Sequence, residues 1–186
     1  MTSISKLITL STVFLLFQLY STSTILAFNP KEDIIESQRI TDFHQLIDSS
    51  DLIVFGTFGS VQEKMTTSHS IQQGHLVNNI QNFQVEKEYK GPHLNHIHVL
   101  LTGIEPLPDP KDPINLKFTG EITSQNPFVC FFKKIPGTSY YQLNGGWSGA
   151  YPYINNKLLA LEDAGIKRLD QLSLPQLEKL LHEHGL

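Results

Sequence analysis

This chain has almost no cysteine: Cys130 is the only one among 186 residues. An intramolecular disulfide is therefore excluded, and the fold has to be held together by burial of apolar side chains. Cys130 lies in the apolar segment 128–132. A free cysteine in such a segment packs like a small apolar side chain, and nothing nearby activates it as a nucleophile. We therefore expect Cys130 in the core.

Basic residues are few and scattered, with 14 Lys and Arg against 18 Asp and Glu. The longest basic segments are the pairs Lys133–Lys134 and Lys167–Arg168. Nucleic-acid binding requires clustered cations, so we expect no nucleic-acid partner. The chain also lacks a glycine-rich phosphate loop and a His-Glu-x-x-His zinc motif. We accordingly expect no cofactor.

The N-terminal segment 1–27 has the pattern of a secretory signal peptide. Lys6 is followed by an uncharged apolar stretch, 7–20, and then by small residues. This order is typical of signals that are removed on export, here by cleavage after Ser23 or after Ala27. If the segment is retained, it is long enough to anchor the protein in a membrane. The expected location is secreted or extracytoplasmic, without a stable membrane span once the signal is cleaved.

The remaining sequence predicts one domain between two smaller segments. Residues 28–40 are mostly polar and predict a flexible leader. Residues 41–161 predict the folded domain, which starts with a short helix over 42–49 capped by Thr41. Residues 162–186 predict a C-terminal helical segment packed on that domain. The low cysteine content and the lack of Asn-x-Ser/Thr acceptors after the signal favour a bacterial source.

Short apolar segments rich in β-branched and aromatic residues predict strands. The segment 128–133 is so apolar that both of its faces should be covered. The polar residues 63–81 predict a long hairpin excursion, and the four prolines within 103–115 predict an extended loop. The predicted strands are 52–58, 83–89, 96–101, 128–133 and 140–143, followed by a hairpin of 151–154 and 158–161.

The C-terminal helix has the clearest local signals. Ser173 and Gln176 have the spacing of a capping box, and Leu172 with Leu177 has that of a hydrophobic staple. Gly185 marks the end of the helix. The pattern predicts a helix that packs its leucines on the sheet.

Taken together, these elements predict a mainly β fold with flanking helices, in the form of a small β-barrel plus a C-terminal helix. The segment 50–57 (SDLIVFGT) resembles the alanine-aspartate-hydrophobic opening of netrin-like modules. The segment 83–91 (FQVEKEYKG) is similar to their second strand. This resemblance, over about 41–161, implies an OB-like barrel like that of the tissue inhibitors of metalloproteinases. Those inhibitors chelate zinc through an N-terminal cysteine, which this chain lacks, so the resemblance implies a fold and a binding role but no inhibitory residue.

Aromatic residues near glycine turns predict a contact surface. Tyrosine and tryptophan close to loops are typical of sites that bind proteins or glycans. We therefore expect an extracellular protein or a cell-surface glycan as the partner. The candidate binding residues are Tyr140, Tyr141, Trp147, Tyr151 and Tyr153.

Histidines provide the candidate metal ligands. His96 and His98 would share one face of a strand, and His93 precedes them in a turn. Two imidazoles at this spacing can bind zinc or copper. The same alternation also fits two solvent-facing histidines, with Ile97 and Val99 pointing inward. His182 and His184 lie two positions apart on the last helix, where side chains do not share a face.

These observations favour an exported, non-enzymatic binding or inhibitor-like module. Its contacts would come from the 63–81 excursion, the proline loop and the glycine turn at 145–149, because loops on a rigid scaffold carry function. Two alternatives stay open. One is a metal-binding protein or metal-dependent enzyme that uses His93, His96 and His98, and the other is a structural protein anchored in the cell envelope.

Overall fold

A computed structural model describes residues 28–186, and the predicted signal peptide lies outside this range. Seven strands form the sheet, and two α-helices flank it. The strands are β1 Leu52–Ile71, β2 Gly74–Lys90, β3 His96–Glu105, β4 Phe128–Lys134, β5 Tyr140–Leu143, β6 Ala150–Ile154 and β7 Lys157–Leu158. The helices are α1 Phe43–Ser49 and α2 Leu174–Glu183, with 3-10 turns at Pro113–Leu116, Gly146–Gly149 and Lys167–Leu169.

Strands β1 to β5 pair in a partly closed ring. β1 is antiparallel to β2 and to β4, β2 is antiparallel to β3, and β4 is antiparallel to β5. β3 and β5 run parallel and meet at the pairs His98–Tyr140 and Val99–Tyr141. Strands β6 and β7 extend the sheet beyond β4. The predicted mainly β class with flanking helices is confirmed.

The polar segment 63–81 forms the long hairpin predicted for it, as the continuation of two paired strands. β1 and β2 stay paired up to the turn at 72–73. Gln81, a polar side chain of this segment, is buried, and its hydrogen bonds offset the cost of that burial. Gln81 donates to Gly59 O and Ile122 O at 2.7 Å each, and it accepts from Ile122 N at 3.1 Å. A polar residue that bonds to a neighbouring segment can therefore sit within a strand.

The leader at 28–40 is fastened to the sheet, contrary to the expectation that it is flexible. Asn78 on β2 donates to Pro30 O and Asp33 O at 2.7 Å each. The Ile35 amide donates to Thr102 Oγ1 at 2.7 Å. Ile40 is buried, and its amide donates to Ser148 Oγ at 3.2 Å. These partners lie more than 40 residues away along the chain, where a local sequence pattern does not reveal them.

Apolar side chains fill the interior of the ring. Alternate residues of each strand point inward because successive side chains of a strand face opposite sides. Cys130 is fully buried among them, as predicted, and burial raises the pKa of its thiol well above the ordinary value. The interior includes Leu52, Val54, Phe83, Val99, Phe128, Cys130, Phe132 and Leu143.

A second core lies on the outer face of β1 and β4, beneath both helices. Phe131 and Val129 point into it from β4, which confirms that both faces of this strand are covered. The helices contribute apolar side chains from one face each, which complete this core. Its buried helical members are Phe43, Leu46, Ile47, Leu177 and Leu181.

The helix termini follow the local signals, with one correction. Asp42, and not Thr41, caps α1, and its carboxylate accepts the Gln45 amide at 2.7 Å. The capping box of α2 is formed, and Gln176 Oε1 accepts the Ser173 amide at 2.9 Å. Within residues 28–186, no helix has the length and apolarity required to cross a membrane.

The buried Tyr151 should make the folded protein less stable at alkaline pH. Burial raises the pKa of Tyr151 to about 12, although its hydroxyl accepts the Ile166 amide at 2.9 Å. An unfolded tyrosine titrates at about pH 10, so between these values the unfolded chain loses a proton that the folded chain retains. The free energy of unfolding is therefore expected to fall as the pH rises through this window. Urea denaturation across the window should show a shallower fall in Tyr151→Phe, and equal slopes would contradict the assignment.

Candidate functional site

The five aromatic residues predicted to bind a partner do not form one exposed surface. Tyr151 is fully buried in the second core, and Tyr141 is buried in the ring. Neither side chain can reach a partner, because its strand position points it into a core. Tyr140 packs beside the β2–β3 surface, and Tyr153 stacks edge-on against Phe55. Binding by Tyr140, Trp147 and Tyr153 stays a prediction.

The glycine turn at 145–149 brings the leader against the sheet. Gly145 and Gly146 have φ of 75° and 61°, which favours glycine. A Cβ atom on Gly146 would lie 2.0 Å from Ser37 Oγ. Ser148 bridges the two segments, since its hydroxyl accepts the Ile40 amide and donates to Ala164 O at 3.1 Å. The glycines at 145, 146 and 149 predicted this turn, and its hydrogen bonds hold the leader.

Asn144 connects the same turn to α1. Its side-chain amide lies 2.8 Å from Ser49 Oγ and 2.9 Å from Ser50 Oγ. Asn144 is buried, so these hydrogen bonds satisfy a group that would otherwise be costly to bury. The turn, α1 and the leader therefore form one rigid wall.

Three adjoining cavities follow this wall. Their volumes are about 440, 240 and 340 Å³. The first and second cavities share Arg39 and Gly145, and the second and third share Leu116 and Trp147. We call this surface the turn groove. Its defining residues are Ser37, Arg39, Gln45, Leu116, Lys133, Gly145, Gly146, Trp147 and Ala164.

The two ends of the turn groove differ in chemistry. Lys117 Nζ lies 3.2 Å from Glu36 Oε1, and the two charges of this ion pair cancel. Arg39 and Lys133 line the first cavity, and among residues 28–186 no carboxylate lies within ion-pair distance of either. Toward the third cavity, Leu116 is 44 % exposed beside the Trp147 ring, whose Nε1 donates to Asn115 O at 2.9 Å. The first cavity therefore holds two cations without a carboxylate partner among the described residues, whereas the third combines the apolar Leu116 and Trp147 with the carboxylate of Glu162.

The three histidines predicted to bind metal do not converge. His96 and His98 share one side of β3, as expected, with ring centroids 6.1 Å apart. His93 is 84 % exposed in its side chain and pairs with Glu88 at 3.0 Å. Within the described part of the chain, no three His, Cys, Asp or Glu side chains are grouped closely enough to hold a metal ion. Metal binding by His93, His96 and His98 stays a prediction that this geometry does not support.

A different pair of histidines comes together between the helices. His44 on α1 and His184 at the C-terminal end of α2 have their Nδ1 atoms 3.0 Å apart. His184 Nε2 also lies 2.9 Å from Asp48 Oδ1. This cluster was not predicted from the sequence, because His44 and His184 are 140 positions apart. The spacing of His44 and Asp48, one helical turn apart on a predicted helix, was the only local signal.

No protein-family model, curated protein or solved structure matches this chain.

Proposed function

We propose that this protein is an exported, non-enzymatic binding module that holds an extracellular protein partner in the turn groove. The observation that carries the proposal is the groove itself, which joins three cavities along a hydrogen-bonded wall. A concave surface that is already shaped before binding costs little ordering entropy when a partner docks. Loops held by a rigid scaffold are the usual location of binding residues.

The fold supports a scaffold role. Five strands that pair in a partly closed ring around an apolar interior are compatible with an OB-like barrel. The netrin-like resemblance in segments 50–57 and 83–91 agrees with this architecture. Both segments lie in β1 and β2, far along the chain from the groove turn. The resemblance therefore supports the barrel fold, and the groove supports the position of the binding site.

The groove chemistry favours an extended polypeptide with an acidic residue next to an apolar one. Arg39 and Lys133 can pair with a carboxylate at one end. Leu116 and the Trp147 ring offer an apolar surface at the other end. The chain as a whole is acidic, with a net charge of -4, so this cationic end is a local feature. Electrostatic attraction at such a patch increases specificity and association rate.

The test is affinity capture from the extracellular fraction of the source cells. We expect the unmodified protein to retain a partner that the double variant Arg39→Gln with Leu116→Ala loses. Neither side chain is part of a core in the described structure, so the variant should fold normally. Loss of two such contacts should weaken binding by at least about tenfold.

The matched control is Lys111→Gln with Leu107→Ala. It removes one cation and one leucine from the same region, and Leu107 is 87 % exposed outside the groove. This control should retain the partner. Equal retention by both double variants would contradict the groove assignment. If glycosidase treatment removed the captured material and protease treatment did not, the partner would be a glycan and not a protein.

A further inference from the structure

The contact between the two helices has the geometry of a metal chelate. His44 extends from α1 and His184 from the end of α2, and their Nδ1 atoms face each other at 3.0 Å. The imidazole rings lie with centroids 4.9 Å apart and an interplanar angle of 40°. His184 is held in place, because only 19 % of its side chain is exposed. Two nitrogen atoms at this separation can either share a proton or bind the same metal ion.

Asp48 fixes the orientation of His184. The Nε2–H group of His184 donates to Asp48 Oδ1 at 2.9 Å. This bond places the ring proton on Nε2 and leaves the Nδ1 lone pair free to act as a ligand. Histidines that bind metals commonly donate their other ring N–H to a carboxylate in this way.

We propose that His44 and His184 form a bidentate site for Cu²⁺, with Asp48 as the supporting carboxylate. The two Nδ1 atoms, 3.0 Å apart as hydrogen-bond partners, are close enough for both to reach one metal ion with bonds of about 2.0 Å. Among the divalent first-row ions, imidazole binds Cu²⁺ most tightly. Water would complete the coordination.

Arg168 competes with a metal ion at His44, because its guanidinium lies beside the same imidazole ring. Its Nη1 lies 3.4 Å from His44 Nε2, and its guanidinium stacks on the Phe43 ring at 4.9 Å. Without metal, Arg168 can donate to Nε2 of His44 while the Nδ1–H of His44 donates to His184. When Cu²⁺ binds at Nδ1, the His44 proton moves to Nε2, and the exposed Arg168 side chain has to turn away. Arg168→Gln should therefore increase the copper affinity.

The test is copper titration of the protein purified after expression of the full chain, with glycine as a competing ligand. In the unmodified protein, electron paramagnetic resonance should show a tetragonal Cu²⁺ centre with two imidazole nitrogens. Cu²⁺ should broaden the imidazole resonances of His44 and His184 before those of the other histidines. Affinity should fall at least tenfold in His44→Ala and in His184→Ala, about tenfold in Asp48→Asn, and rise in Arg168→Gln.

His182→Ala is the matched control, because it removes an exposed histidine from the same helical end. It should leave the copper affinity unchanged. Unchanged affinity in His44→Ala, or broadening that begins at His93, His96 or His98, would overturn the proposal. Binding only at millimolar copper would also overturn it, and would leave the two histidines as a hydrogen-bonded clasp between the helices. The broadening experiment uses the unmodified protein, so it decides the question even if a variant fails to fold.

Discussion

Gly56→Ala is expected to lower the free energy of unfolding by about 3 kcal/mol, because β1 has no space for a side chain at this position. Gly56 lies where β1 pairs with both β2 and β4. A Cβ atom there would lie 2.0 Å from Gln84 O and 2.8 Å from Phe83 Cε1. The oxygen belongs to the backbone of β2, so it can move away only if the strand pairing is disturbed. Chemical denaturation measures the loss.

Gly59→Ala is the matched control on the same strand. A Cβ atom on Gly59 would meet Asn82 Cβ at 3.5 Å, an ordinary contact, and the position is exposed. We expect this variant to unfold within about 0.5 kcal/mol of the unmodified protein. If Gly56→Ala matched Gly59→Ala in stability, the register that places Gly56 against β2 would be wrong. The comparison thus tests the strand pairing that starts the ring.

The apolar elements were predictable from sequence because each depends on a local pattern. The segment 52–58 forms the first part of β1, and the segment 128–133 lies in β4, which has both faces covered. The α2 cap at Ser173 needs only the side chain three positions later, so its signal lies within one turn. The strand period and helix capping therefore determine these elements without knowledge of the tertiary fold.

Segments stabilised by distant polar partners could not be predicted in this way. Gln81 is polar but lies in a strand, because its side chain is hydrogen-bonded to Gly59 and Ile122, which belong to other segments. The leader was expected to be flexible because its composition is polar, but its fixed position depends on Asn78 and Thr102. Hydrophobic periodicity contains no information about such partners, since it measures only which residues avoid water.

The candidate site was predictable only in part. The glycine turn at 145–149 was correctly identified as a turn, because glycines beside Trp147 indicate one, but Gly146, Ser148 and Gly149 are buried. The aromatic residues around it were divided between two cores and the surface, as strand alternation requires. Arg39 was missed because it lies in the segment expected to be flexible. His44 and His184 were missed because only the packing of α1 beside α2 brings them together.

Phe131→Ala is expected to lower the free energy of unfolding by about 4 kcal/mol, the usual cost of removing a buried phenylalanine. Phe131 is fully buried on the outer face of β4, where it packs edge-on against Tyr151 and lies beneath both helices. The truncation leaves a cavity in the apolar layer through which α1 and α2 pack on the sheet. Denaturation with urea, followed by circular dichroism, measures this loss.

Phe132→Ala provides the comparison, because Phe132 is the next residue and points into the ring interior. An antiparallel sheet with one face in water would lose stability at Phe132 alone, since strand alternation would expose its neighbour. Because both faces of β4 are covered, both truncations should lower the free energy of unfolding by similar amounts. A loss below about 1 kcal/mol in Phe131→Ala, with a large loss in Phe132→Ala, would mean that the helices are not docked in solution. That result would also separate His44 from His184 and remove the geometric basis of the copper site.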